Sequence, residues 1–373
     1  MSSTRLDQRH GHLRDVLKEL NLTALALNPG PSLTYLTGLH FHLSERPVVF
    51  MFPADGTPAL VLPELESLKV EEATFDVTPF TYTESLSTWS EAFGKAADRA
   101  GIKSGTVGIE PRALRVLELR LLEAACPSVA IVTGEAAVAK LRMQKDLQEL
   151  RLMEKATRIA ESALEATLPS VVPGVTERTI AARLIQNLLA DGSGGELPFQ
   201  PIIAFGPNSA NPHAVPTDYR AEPGDLVLFD WGANYEGYFS DLTRMFSLGE
   251  PEPEMRKIVE IVQASNAAGR QRVCPGIAAS AIDDASRDVI KSAGFGEYFV
   301  HRTGHGLGLE VHEEPYIRDD NERLLEPGMT FTIEPGIYLS GRGGARIEDD
   351  MVVTESGGKS LSVIERSLRI LPV

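Results

Sequence analysis

Four carboxylates constrain this chain more than any other feature. Asp230, Asp241, Glu334 and Glu348 each lie in, or at the end of, an apolar strand-like run. Leu226 to Trp231 and Gly237 to Phe246 read as β-rich, and so do Met329 to Glu334 and Arg346 to Thr354. Such runs suit a pleated, half-buried surface, where an unpaired charge costs several kcal/mol. Read singly, the aspartates pass for turn or strand-end residues and the glutamates for edge residues. Read together, they need a common counter-charge. Asp230 and Asp241 flank a turn-prone Gly232-Ala233-Asn234, so the expectation is a hairpin with one carboxylate on each arm. Cross-strand neighbours sit roughly 5 Å apart, close enough for both carboxylates to enter one site.

A nitrogen donor is available in His301-Arg302-Thr303-Gly304-His305-Gly306-Leu307-Gly308-Leu309-Glu310-Val311-His312, where three of the eight histidines fall within twelve residues. Imidazole is the commonest neutral nitrogen ligand, and the interleaved glycines would let a backbone approach a metal or substrate closely. Asp230, Asp241, His305, Glu334 and Glu348 thus form a candidate set of five ligands, four anionic and one neutral. Two divalent cations and a bridging hydroxide would bring that set close to neutrality; without cations the carboxylates would repel and some would hold protons. Oxygen-rich donors with one imidazole favour Mn²⁺, Co²⁺, Fe²⁺ or Zn²⁺ over thiolate-loving metals.

The 373 residues exceed one typical domain, and the first ~135 read differently from the rest. There, helix (Gln8 to Leu20, Ala113 to Ala124) alternates with strand (Thr23 to Leu27, Val48 to Phe52, Val129 to Val132), an α/β pattern. A long helical stretch from Asp146 to Leu168 opens a second unit, followed by helices at Thr176 to Ala190 and Glu254 to Val273 among β segments, an α+β pattern. The expected division is 1–135 and 136–373. A net charge of −16 without a basic patch argues against nucleic acid as the main partner. No run approaches the ~18 apolar residues of a membrane span, and the polar amino terminus lacks a secretory apolar segment, so a cytoplasmic protein is expected. Cys126 and Cys274 belong to no metal or redox spacing.

Taken in order, the Asp-x10-Asp pair, His305-Gly306-Leu307-Gly308, Ile333-Glu334-Pro335-Gly336 and Arg346-Ile347-Glu348-Asp349 resemble the "pita-bread" metallopeptidases, the family of prolidase, aminopeptidase P and methionine aminopeptidase. The likeness spans roughly 140–373, and the amino-terminal unit is similar to the creatinase-like extra domain of prolidases and aminopeptidases P. The resemblance implies a pita-bread catalytic domain behind a smaller α/β domain, and two metals held by Asp230, Asp241, His305, Glu334 and Glu348, with Asp241 and Glu348 touching both. It implies that His213 and His312 bear protons near the scissile carbonyl and that Glu334 accepts one from the attacking water. His301, Tyr338 and Arg346 match substrate-contact or outer positions. It also implies a homodimer whose amino-terminal domains help to wall the sites.

The expected reaction is hydrolysis of the Xaa-Pro bond by hydroxide generated between two cations. The short Glu334 to Glu348 interval and the loop Leu339 to Gly344 resemble small microbial prolidases, which favours dipeptides as substrates. A dipeptide carries a free carboxylate that arginine grips well, and Arg46 and Arg318 are the candidates. The rivals are aminopeptidase P, acting on longer Xaa-Pro peptides, methionine aminopeptidase, and a metal-free creatinase-like enzyme or non-catalytic binding module on the same scaffold.

Overall fold

The computed structural model describes residues 3–373. The chain divides into two compact units, Met1–Arg142 and Met143–Val373. The segment after Thr133, weakly patterned in sequence, is a helix, Glu135–Arg142, that buries Ala137, Val138 and Leu141 and belongs to the first unit.

The first unit is built on a six-stranded mixed sheet in the order Thr78–Tyr82, Ala59–Pro63, Val49–Pro53, Ala24–Leu27, Gly105–Ile109, Val129–Thr133. Its three central strands from Ala24, Val49 and Ala59 are buried along their whole length, as expected of apolar runs covered on both faces. Helix Leu86–Arg99 presents Ala92, Phe93, Ala96 and Ala97 to one face, where Leu122 of helix Val116–Ala125 joins the same core.

The second unit opens with helix Leu147–Thr167. Asp146 caps it by accepting from the backbone N–H of Gln148 (2.8 Å) and Glu149 (2.9 Å), and Glu149 reaches back to the N–H of Asp146 (2.8 Å). This helix and Glu177–Ala190 pack on a four-stranded sheet ordered Arg369–Leu371, Leu242–Leu248, Leu226–Trp231, Ile202–Phe205. Strand alternation decides what Leu226–Trp231 offers to each side. Val227, Phe229 and Trp231 enter the core beneath those two helices, and the Trp231 indole N–H donates to the Ala160 carbonyl (2.8 Å). Leu226 and Leu228 face the opposite core, made with helix Pro253–Arg272 and with Ile290, and Asp230 takes the next place on that second face.

A five-stranded sheet (Glu313–Ile317, Gly304–Gly306, Thr330–Ile333, Asp349–Thr354, Gly357–Ser360) and a hairpin (Gly336–Leu339 with Gly343–Arg346) complete the unit. A bridge between Thr243 and Glu348 ties the two larger sheets together. Mixed helices and mainly antiparallel strands make this unit α+β. No helix among the described residues is long and apolar enough to cross a membrane.

Candidate active site

The hairpin expected around Gly232 is more elaborate than the sequence suggests. Asp230 lies opposite Thr243 in the Leu226–Trp231/Leu242–Leu248 ladder, and Asp241 stands just before the second strand begins. Between them a small ladder, Asn234–Tyr235 with Tyr238–Phe239, turns at Glu236 (φ 50°) and Gly237 (φ 86°). A two-residue loop with both φ positive matches strand twist, which moves the turn away from Gly232-Ala233-Asn234. Gly232 instead lets the Ser240 carbonyl lie where a side chain would stand. Because Asp241 is two residues from Thr243, both aspartates look into the same space.

The glutamates also sit at strand breaks rather than inside strands. Glu334 follows Thr330–Ile333, and Glu348 separates Gly343–Arg346 from Asp349–Thr354. His305 is central to Gly304–Gly306. The glycines beside it serve the neighbouring strands rather than a metal or substrate, since a side chain at Gly304 would strike the Thr332 backbone and one at Gly306 that of Glu314.

Ligand atoms of Asp241, His305 and Glu348 lie within 4.8 Å of one another. His305 Nε2 is 3.2 Å from Glu334 Oε1 and 3.7 Å from Asp241 Oδ2, while its Nδ1 lies 3.2 Å from the Gly306 carbonyl, which can only accept. That contact puts a proton on Nδ1 and aims Nε2 at the carboxylates. Asp230 Oδ2 accepts from Arg346, whereas its buried Oδ1 has no hydrogen-bond partner among the described residues.

Electrostatics make the same point. Burial raises the carboxyls of Asp241 and Glu348 well above the ordinary range, and their acidic neighbours raise them further: Glu348 and Asp230 act on Asp241, Glu334 and Asp230 on Glu348. Burial opposes ionisation of Glu334 too, but the hydrogen bond and charge of His305, aided by His301 and Arg346, hold it down to about 2. Converging carboxylates, an unpartnered buried oxygen and an imidazole aimed among them fit divalent metal.

The surrounding side chains fix these ligands. Thr243 Oγ1 donates to Glu348 Oε2 (2.6 Å), and Asp350 accepts from the backbone N–H of Asp241 (3.1 Å). Asn266, fully buried on helix Pro253–Arg272, donates to the carbonyls of Ile333 (3.0 Å) and Ile347 (3.2 Å), the residues preceding the two glutamates. Arg244 donates to the Glu348 carbonyl (2.5 Å) and to Asp349 (2.9 Å). The Arg346 guanidinium is buried, donating to Asp230, to Thr243 Oγ1 (3.2 Å) and to the Tyr338 hydroxyl (2.8 Å). Arginine can only donate, so the Tyr338 proton points to His301 Nε2 (2.9 Å), and His301 Nδ1–H donates to the Arg302 carbonyl (2.7 Å).

A cavity of about 820 Å³ opens above these residues. Asp230, Asp241, His305, Glu334, Glu348, His213, His301, His312, Arg318 and Arg346 all line it, with Pro198, Phe199, Ile202, Val215 and Val311 as an apolar wall. The ring of His312 stands edge to face with that of His305, centroids 4.2 Å apart. Loss of solvent on its cavity side, then the neighbouring His305 and Arg302, push His312 down to about 4, so it is neutral at pH 7. Tyr338 lies behind this wall and meets the site through Arg346 and His301. Arg46 belongs to the first unit, where Glu45 and Glu84 hold its guanidinium. Sequence reasoning missed Asn266, Thr243, Arg244, Asp350 and Arg302; of these only Thr243, Arg244 and Asp350 carried a signal, through adjacency to Asp241 and Glu348.

Fold and site define a hydrolase of the metallopeptidase class. The model of metallopeptidase family M24 matches residues 151–355, and that of the creatinase/prolidase N-terminal domain matches 9–144. The chain belongs to metallopeptidase family M24. It is 38% identical to the probable dipeptidase PepE of Mycobacterium tuberculosis, over 95% of this chain and 94% of that one. It is 33% identical to the Xaa-Pro dipeptidase of Lactobacillus helveticus, covering 97% and 98%. The crystal structure of dipeptidase PepE from Mycobacterium ulcerans superposes with a TM-score of 0.93 at 35% identity, covering 100% of both chains.

Proposed function

We propose that this protein is a dinuclear-metal peptidase that hydrolyses the Xaa-Pro bond, with Xaa-Pro dipeptides as its substrates. The observation that carries the reading is the convergence of Asp230, Asp241, His305, Glu334 and Glu348 on one cavity, with Asp230 Oδ1 buried and unpartnered among the described residues. Likeness to a named Xaa-Pro dipeptidase along nearly the whole chain supports the substrate class. Asp230, Asp241, His305, Glu334 and Glu348 would hold two divalent cations, Mn²⁺, Co²⁺ or Zn²⁺. When bound, the cations would polarise the scissile carbonyl and acidify the attacking water.

The chain's own residues do the rest. Glu334, ionised at neutral pH, accepts the proton of the attacking water. His312, neutral and at the cavity wall, donates a hydrogen bond to the oxygen that gains charge at the scissile carbon, with His213, which lines the same cavity, as the second donor. Tyr338 and His301 hold Arg346, and Arg346 holds Asp230; in this reading the three position a ligand. The apolar wall receives the side chain before proline and the proline ring.

The protein is proposed to act in the cytoplasm as a homodimer. A monomer in sedimentation at micromolar concentration would end the dimer reading, and recovery in a secreted fraction would end the cytoplasmic one. The activity is tested by stripping metal, restoring Mn²⁺, Co²⁺ or Zn²⁺, and offering an Xaa-Pro dipeptide, an Xaa-Pro-Yaa tripeptide and a Met-Ala-Yaa tripeptide. Cleavage of the dipeptide alone is expected. Cleavage of the proline tripeptide instead makes the enzyme an aminopeptidase P, and silence on all three with every metal refutes peptidase action.

A further inference from the structure

Building on the dipeptidase reading, a second arginine at the cavity fits a dipeptide's carboxylate better than Arg318 does. The cavity floor is acidic, so a substrate carboxylate needs a cation near it. Besides the buried Arg346, the arginines lining the cavity are Arg302 and Arg318. Arg318 is 54% exposed and its Nε already donates to Asp320 (2.8 Å). Arg302 has no carboxylate partner among the described residues, and its guanidinium lies 4.5 Å above the centre of the Tyr316 ring.

The backbone that carries Arg302 is fixed on both sides. The His301 ring donates to the Arg302 carbonyl (2.7 Å). On the other side, Thr303 donates its N–H (3.2 Å) and its hydroxyl (2.7 Å) to Asp283, a fully buried carboxylate itself paired with Arg287 (2.8 Å). With its backbone anchored and its guanidinium carbon held over an aromatic ring, the side chain loses little freedom on binding a partner. Its charge also reaches His312.

We propose that Arg302 is the specificity residue that grips the free carboxylate of an Xaa-Pro dipeptide as a bidentate pair. The contact forms equally in ground state and transition state, because the carboxylate does not react. It therefore sets KM rather than kcat. Longer or amidated substrates lack the carboxylate at that distance from the scissile bond and gain nothing from Arg302.

The test uses the full-length, metal-loaded enzyme, as wild type, Arg302→Ala and Arg302→Lys, with Ala-Pro and its carboxamide Ala-Pro-NH2 as substrates. Metal content is measured on every preparation. For Arg302→Ala the KM for Ala-Pro rises about 10- to 100-fold with kcat and metal content held, the range expected for losing a charge-assisted hydrogen-bonded pair. Its kcat/KM on the carboxamide, or its Ki for the carboxamide where turnover is slow, stays at the wild-type value, and Arg302→Lys recovers part of the dipeptide affinity. A wild-type KM for Ala-Pro in Arg302→Ala, or equal losses on both substrates, overturns the clamp. Failure of the wild type itself to cleave Ala-Pro overturns the dipeptidase reading beneath it, a result seen before any variant is compared.

Discussion

Arg346→Met tests whether this guanidinium holds a metal ligand in place. The side chain is replaced by an apolar one of similar length, so cavity formation is kept small. In the metal-free protein Asp230 then loses its hydrogen-bonded cation, and both its oxygens become buried without partners among the described residues. Removing one member of a buried ion pair costs about 3–5 kcal/mol. The Tyr338 hydroxyl and Thr243 lose a donor as well. Burial already raises the Asp230 carboxyl, so protonation limits the loss and puts the expected value at the lower end, about 3 kcal/mol at pH 7. Asp230→Asn removes the charge that needs compensating, so the double variant should recover about 2 kcal/mol relative to the sum of the singles. Urea unfolding followed by tryptophan fluorescence measures this. The two tryptophans are Trp89 in the first unit and Trp231 in the second, so a Trp89→Phe background reports the catalytic unit alone. Additivity within about 0.5 kcal/mol would refute the coupling, and an Arg346→Met protein as stable as its parent would refute the pairing itself.

Four further outcomes are expected. His213→Ala and His312→Ala should each lower kcat on an Xaa-Pro dipeptide about 10²- to 10⁴-fold with metal content unchanged; full activity in both removes them from the reaction. Metal-free protein should change stability with pH in a definite direction. Asp241 and Glu348 have raised carboxyls, so their contribution is present below the ordinary carboxylate range near pH 4 and is lost as pH rises through their raised values. Divalent metal should therefore raise the unfolding midpoint more at pH 8 than at pH 5, and an equal rise at both would contradict the assignment. Asn266→Ala should weaken metal binding about 10- to 100-fold in a competitive chelator titration while leaving the cavity histidines untouched; unchanged affinity would show that the Ile333 and Ile347 carbonyls do not need it. Gly304→Ala should lower the midpoint in thermal unfolding, because its Cβ would meet the Thr332 backbone, and a wild-type midpoint would show that the strands can part at no cost.

What could be read from sequence, and what could not, follows from where each residue's meaning resides. Asp230, Asp241, Glu334 and Glu348 stand out because a carboxylate in an apolar β run is an anomaly that any fold must resolve, and all four do line one cavity. The α+β character of the second unit was equally visible, since helix and strand periods are local properties. The turn between Asp230 and Asp241 was misplaced because Gly232 signals a close approach of Ser240 just as strongly as it signals a turn. The glycines around His305 misled in the same way. They make room for neighbouring strands, and sequence cannot say which backbone is the visitor.

Asn266 shows why the supporting residues stayed hidden. In a helix that is otherwise amphipathic, an asparagine reads as an ordinary polar position, and nothing local distinguishes it. Its role comes from two strand ends 67 and 81 residues further on, whose carbonyls it joins through one amide. Those breaks exist because Glu334 and Glu348 must leave their strands to reach the site, and each departure frees a backbone group that has to be satisfied inside the protein. The buried amide and the strand breaks are therefore one requirement seen from two sides. A ligand set read from sequence predicts that such supports exist, and only the packing says which helix supplies them.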